Sequence, residues 1–298
     1  MATVSTRAAG RPLAQAGLPT RLRLRLWVEG KPLALAAIGV YVFLFAPLLV
    51  LILYSFNDSK RIVWQGFTTR WYRDVLRDPT ITSAFADSFR IGLIATLVST
   101  VLGTMIAFAL VRHRVHARTA TEISLLGPMI TPEVIMAAGL LVLFAQFSRL
   151  PGFVGSYLGP GFWAVVASHI MFCIPFVVVT VRARLRVMDR TLEEAAADLG
   201  ADPITTFTKV TLPIALPGIF AGAMLAFTLS FDDFVITTFT SGPGVTTVPL
   251  KVFSMLKFGI SPVINAISAI LIVGTTCISL LALRLGGGTR NVAESLAE

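Results

Sequence analysis

Thr191-Leu192-Glu193-Glu194-Ala195-Ala196-Ala197-Asp198-Leu199-Gly200-Ala201-Asp202-Pro203, followed by Val210-Thr211-Leu212-Pro213, forms a polar island between two long apolar runs. Thr191 and Glu194 have the spacing of a capping box, in which the Thr side chain accepts from one free helical N–H and the Glu reaches back to another. That predicts a short helix over 192–199, about two turns long. Gly200 then falls just past the helix end, where a left-handed backbone suits glycine best. Asp202-Pro203 reads as an N-cap followed by proline at the first position of a second helix. The expected unit is helix, tight turn, helix, lying on the inner face of a membrane. Ala195, Ala196 and Ala197 leave its surface without bulk, so a partner's groove can approach the backbone. Taken singly, Glu194 is equally well read as a cap and Gly200 as a turn.

The apolar runs decide the class. The chain has 298 residues, 55% apolar and only 14% charged, with a mean hydropathy of +0.80. Soluble domains carry roughly 25% charged residues, so a large soluble enzyme is excluded. A bilayer core of about 30 Å needs about 20 apolar residues, and six runs qualify, at 33–55, 88–111, 124–147, 162–182, 213–240 and 263–285.

Lys and Arg set the orientation. With the N-terminus inside, 16 of the 25 fall on cytoplasmic segments and nine outside. The fold expected is an all-α membrane protein of six transmembrane helices with both termini cytoplasmic. Residues 1–32 form a basic cytoplasmic extension and interfacial segment, 33–285 the six-helix domain with the loop at 189–212, and 286–298 a loose tail. Arg21-Leu22-Arg23-Leu24-Arg25-Leu26-Trp27 suits a basic interfacial stretch with Trp27 at the headgroups. The first apolar run starts too late and runs too long for a cleaved leader. On the outside, Trp64, Trp71 and Tyr72 in the 56–87 loop read as interfacial anchors.

A formal charge of +9 raises nucleic acid as a partner, but the basic residues flank apolar runs instead of forming one footprint. Cys173 and Cys277 lie inside apolar segments with no Cys/His cluster, so neither a metal site nor a disulfide framework is indicated. Glu193, Glu194, Asp189, Asp198 and Asp202 face Arg182, Arg184, Arg186 and Arg190 at the membrane edge and read mostly as solvated charge.

Carboxylates inside the membrane carry more information. An Asp at mid-bilayer costs about 2.5 to 3.5 kcal/mol on insertion scales, so such acids face a cavity or a partner. The fifth run holds Ser230-Phe231-Asp232-Asp233-Phe234, and Asp232 lies about 22 Å beyond Pro217 at 1.5 Å per residue. Neighbours on a helix point about 100° apart. Unless the helix unwinds, one of Asp232 and Asp233 lines a pathway and the other packs, and the spacing does not distinguish them. Phe227, Phe231 and Phe234 recur at helical spacing as one aromatic face, for packing or for lining a path. Acid plus aromatic is what a desolvated organic ammonium requires, through charge neutralisation and cation–π contact. In the third run Pro128 and Pro132 loosen the backbone beside Glu133, a second pathway acid or the partner of a basic group. His169 in the fourth run, without a chain of acids, reads as a hydrogen-bonded structural residue.

No nucleophile–base or metal cluster suggests catalysis, and no phosphate-binding Gly-x4-Gly-Lys-Ser/Thr loop is present. The pattern Glu-Ala-Ala, three residues, Gly, nine residues, aliphatic, any residue, Leu-Pro is matched by Glu194, Ala195, Ala196, Gly200, Val210, Leu212 and Pro213. It resembles the EAA loop of membrane subunits of binding-protein-dependent ABC importers. Val210 departs from the commoner Ile. Leu229 to Ile236, Ser241-Gly242-Pro243, Val248 to Ser254 and Gly259 to Ala266 are similar to the spermidine/putrescine permeases.

The resemblance, which spans about 33–285, implies an importer permease with the EAA loop as coupling helices. It implies a cytoplasmic ATPase dimer, a second homologous permease and an extracytoplasmic binding protein as partners, all at a bacterial inner membrane. It also implies that no cofactor is held and that ATP is hydrolysed on another subunit. The coupling residues are then Glu193, Glu194, Ala195, Ala196, Gly200, Leu212 and Pro213. The pathway residues are Asp232, Asp233, Phe231, Phe234 and Glu133, and the solute is a polyamine. Competing readings are the same importer class for ferric iron or another small solute, and an ion-coupled secondary transporter, which would not need the loop.

Overall fold

The computed structural model describes residues 20–59, 63–112, 118–152, 155, 157, 159–257, 259 and 261–285. The N-terminal extension up to residue 19, the side chains of the Arg21 to Trp27 stretch, Lys60, Arg61, Arg114 and the 286–298 tail lie outside the described residues. Two units separate at Leu53 and Tyr54. The first contains nearly all of α1 (Thr20–Tyr54), whose Ala34–Tyr54 stretch is a continuous apolar span.

The second unit is helical throughout, with one isolated bridge between Asn57 and Phe67 and no strand among the described residues. Its elements are α2 (Arg70–Arg77), α3 (Pro79–Arg112), α4 (Arg118–Ile130), α5 (Glu133–Phe147), α6 (Phe162–Val187), α7 (Thr191–Asp198) and α8 (Pro203–Thr206). A π-helical turn at Phe207–Thr211 leads into α9 (Leu212–Asp232), followed by α10 (Val235–Thr240), α11 (Val248–Leu256) and α12 (Pro262–Leu285). Among the described residues of both units, four helices, α1 included, are long and apolar enough to cross a membrane, and the bent pair α4–α5 makes five. The apolar Pro262–Cys277 part of α12 is shorter.

The 124–147 run, expected as one helix, is broken. α4 and α5 meet at 105° across Thr131-Pro132. Pro132 has no N–H to donate and disfavours helical backbone at the residue before it, so α4 closes with the Thr131 hydroxyl on the Gly127 carbonyl at 2.7 Å. The Pro132 carbonyl then accepts the Ile135 and Met136 N–H groups that begin α5. The 213–240 run also differs from the expected single helix: α9 stops at Asp232 and α10 starts at Val235.

The centre of the unit is α3 packed on α6 and α9, with Ala107, Leu110, Val177, Val181, Leu185 and Ala215 fully buried among them. Small residues let these backbones close up, as is usual where lipid supplies no hydrophobic drive between helices. A Cβ at Gly103 would lie 2.8 Å from Val177, and one at Gly218 would lie 2.6 Å from the Arg184 Cβ.

The described part of the 56–87 loop is folded rather than spread on an interface. Trp71, expected as an anchor, is 5% exposed. Its indole N–H donates to the Asn57 carbonyl at 2.8 Å, because a buried indole needs an acceptor. Tyr72 is likewise occupied, its hydroxyl 2.6 Å from Ser55 Oγ. Trp64 alone of the three keeps a large exposed face and stacks edge-on against Tyr54.

Candidate functional site

Two features stand out, the α7–α8 loop at one end of the bundle and the pair of helix breaks within it. In the loop, α7 ends as expected. Gly200 has φ +86°, its N–H donates to the Ala197 carbonyl, and the Ala201 N–H donates to the Ala196 carbonyl. This double closure is the Schellman arrangement. Asp202 is extended, and Pro203 is the first residue of α8.

The start of α7 differs from expectation. Thr191 is the first helical residue and not the cap, and the Asp189 carboxylate accepts its N–H at 3.0 Å. That bond, joined by the Thr191 hydroxyl, holds the Asp189 carboxyl below the usual carboxylate range. An acid two residues upstream displaces the capping box because it meets the free N–H directly. Nor is the second helix a separate element: α8 and the π turn run straight into α9 as one helical segment, Pro203–Asp232.

The charges at this end are organised. Glu194, Ala195 and Ala197 are exposed, and Ala196 is half-buried. Glu193 turns inward, with Oε1 3.0 Å from Arg112 Nη2 and 2.7 Å from the donating Thr211 hydroxyl. Arg182 Nη2 meets Glu122 Oε1 at 2.6 Å. Arg184 donates to the Ile214 carbonyl and Arg190 to the Val111 carbonyl. Three of the four arginines read as solvated thus tie helix ends together. Leu212 and Pro213 begin α9, the first half-buried and the second exposed.

At the other feature, the backbone unwinds between Asp232 and Asp233 and the two acids part. Asp232 closes α9 with an exposed side chain. Asp233 is extended (ψ 129°) and 7% exposed. Its carboxylate accepts the Thr237 N–H at 2.8 Å, the Thr237 hydroxyl at 2.8 Å and the Ile236 N–H at 3.3 Å, and so caps α10. His169 from α6 completes the knot. Its Nε2 lies 3.2 Å from Asp233 Oδ2 and 3.1 Å from Thr237 Oγ1, and its Nδ1 lies 2.7 Å from Ser230 Oγ.

Glu133 opens α5 beside the first break. An acid in the first turn of a helix is favoured by the positive end of the helix dipole, and this one interacts with the Asp233 carboxyl. Glu133 and Asp233 therefore lie together where two apolar helices are interrupted, while Asp232 borders the second break with its side chain exposed. Phe227 and Phe231 stack at 5.5 Å beside Gly92, whose missing side chain makes room for both rings. Phe234 does not share their face. Past the break it packs on Phe253 at 4.6 Å, and Lys257 Nζ sits 5.1 Å over the Phe253 ring.

Sequence reading did not find Arg112 or Thr211 as partners of Glu193, nor Phe253 as the partner of Phe234. A basic residue ending one apolar run with an unpaired acid in a later loop was the available signal for the first.

The family described as binding-protein-dependent transport system inner membrane component matches residues 99–290. The chain belongs to this family. It is a membrane permease subunit of an ABC importer. Among similar proteins, the putrescine transport system permease protein PotI of Escherichia coli K12 is 42% identical over 78% of this chain and 82% of its own length. The spermidine/putrescine transport system permease protein PotC of the same organism is 41% identical over 79% of this chain and 86% of its own. In solved structures the permease fold recurs in a bacterial ABC transporter involved in alginate import, with a TM-score of 0.64, 16% identity, and coverage of 88% of this chain and 96% of that one. The MetNI methionine ABC transporter gives 0.55 at 18% identity, covering 74% of this chain and 99% of the other.

Proposed function

We propose that this permease subunit forms one half of the membrane core of an ATP-driven importer for polyamines in a bacterial inner membrane. The broken pair α4–α5 counts as one span and α12 as another, giving six spans with both termini in the cytoplasm. Residues 33–285 are the permease domain, 1–32 a cytoplasmic basic extension and 286–298 a tail. A second, homologous permease supplies the other half, an extracytoplasmic binding protein delivers the solute, and a cytoplasmic ATPase dimer supplies the work.

The observation that carries the solute class is the placement of three acids beside two helix breaks, Glu133 with Asp233 and Asp232 exposed next to them, with phenylalanines alongside. Interrupted helices inside a membrane are tolerated where they line a cavity or are covered by protein, and in transporters they mark solute sites. Asp232 offers an ammonium group its exposed carboxylate, while Phe231 on one side and Phe234 on the other offer ring faces. Asp233 holds the break open in shape by capping α10, with Glu133 facing it. The putrescine and spermidine permeases among the similar proteins support the same class.

In the loop, Glu194, Ala195, Ala196 and Gly200 meet the ATPase, and Leu212 and Pro213 pass its motion into α9. Titration of the cognate binding protein with putrescine and spermidine tests the solute. Saturable binding of either supports a polyamine, and a receptor that ignores both but binds an anion overturns it.

A further inference from the structure

Glu193 does not face outward with its neighbour Glu194. It is the one acid of α7 drawn into the bundle, where a single oxygen, Oε1, serves two elements: Arg112 Nη2 at the end of α3 lies 3.0 Å away, and the Thr211 hydroxyl at the end of the π turn donates at 2.7 Å. Both charged side chains are mostly covered, 13% exposed for Arg112 and 23% for Glu193, so solvent screens this pair less than an open surface pair. No residue of α7 is buried. A cavity of about 530 Å³, lined by Phe108, Arg112, Glu193, Phe207 and Thr211 among others, occupies the space where apolar packing between α7 and α3 would otherwise lie. Arg190 at the N-cap of α7 bonds the Val111 carbonyl of α3, and the Glu193 tie is what joins the body of the helix to α3.

Two details make the tie a switchable one. Arg112 Nη2 makes an ion pair with Glu193 but is not aligned as a hydrogen-bond donor, and Arg112 Nε has no acceptor, so both buried donors are left over for another arrangement. Thr211 closes a π turn, a rare element that is frequent at functional sites in helices.

We propose that Glu193 is a positioning residue that transmits displacement of α7 to α3 and α9 together, while Glu194 is left for the partner. This rests on the reading of the loop as the ATPase-coupling element. Pulling α7 shifts the Arg112 end of α3 and the Thr211 entrance of α9 at once, and these two helices, with α6, form the packed centre of the fold.

The test uses the full importer reconstituted in lipid vesicles with its ATPase, partner permease and binding protein. For Glu193→Gln, ATPase recruitment is retained while ATP hydrolysed per solute taken up rises by about fivefold or more, the low end of typical coupling between sites. The exchanged pair Glu193→Arg with Arg112→Glu brings the ratio back toward wild type. If Glu193→Gln assembles and keeps the wild-type ratio, or if it loses ATPase recruitment, the proposal is overturned. If that variant does not assemble, the exchanged pair decides: restored assembly and ratio support the tie, and failure of both overturns it. Absence of ATP-driven uptake by the wild-type complex would instead sink the underlying importer reading.

Discussion

His169 Nε2 lies 3.2 Å from Asp233 Oδ2, with both side chains 1% exposed, and the contact joins α6 to the break between α9 and α10. A carboxylate with this many partners is part of the frame. Asp233→Ala strips the acceptor from two N–H groups, a hydroxyl and the imidazole, and each unpaired buried donor costs roughly 1 to 3 kcal/mol. The variant is expected to lose about 3 kcal/mol or more, read as a marked drop in melting temperature of the purified complex. A melting temperature equal to wild type would remove Asp233 from the frame.

Asp232→Asn is expected to behave in the opposite way. Its side chain is exposed, so assembly and melting temperature stay at the wild-type value while polyamine uptake falls. Loss of a charge-assisted contact of about 1.5 to 3 kcal/mol corresponds to roughly 10- to 150-fold in kcat/KM. Wild-type uptake would take this acid out of the route.

Gly200 has φ +86° with open space around the position where a Cβ would sit. The penalty for Gly200→Val is thus one of backbone conformation, of about 1 to 2 kcal/mol, and no neighbour is pushed. The chain should insert normally but bind and couple to the ATPase less well, and Gly200→Asn should be milder because Asn tolerates the left-handed region. Equal coupling in the Val and Asn variants would count against a role for this turn.

Gly103→Ala places a methyl 2.8 Å from Val177 in the closest part of the α3–α6 contact. Overpacking of this kind costs about 1 to 3 kcal/mol. Val177→Ala in the same chain removes the Cγ1 contact but keeps the Cβ at 2.8 Å, so it should recover only a small part of the lost melting temperature. A melting temperature equal to wild type in Gly103→Ala itself would mean the backbones can separate without consequence.

What was legible in the sequence was local chemistry. Gly200 after two helical turns, and Asp202-Pro203 opening the next helix, depend on their immediate neighbours, and the structure forms both. The capping box failed because Asp189 competes for the same N–H from two residues upstream. The breaks were half visible: Pro132 announced a loosened helix, but a 105° bend is set by what α4 and α5 pack against. Likewise Asp232-Asp233 read as a pair on a helix, because His169 and Thr237, the groups that pull Asp233 inward, are reached only through the fold. Trp71 looked like an interfacial ring for a similar reason, its acceptor on Asn57 being a tertiary neighbour. The tie from Glu193 to Arg112 spans 81 positions of chain, far beyond any periodic pattern.

ATP-driven uptake of labelled putrescine or spermidine, measured in vesicles carrying this chain with its partner permease, ATPase and binding protein, puts the central reading at risk. Uptake should require ATP and the binding protein, persist without an ion gradient, and fall sharply with Asp232→Asn. Uptake that follows an imposed ion gradient in the absence of ATP would contradict it.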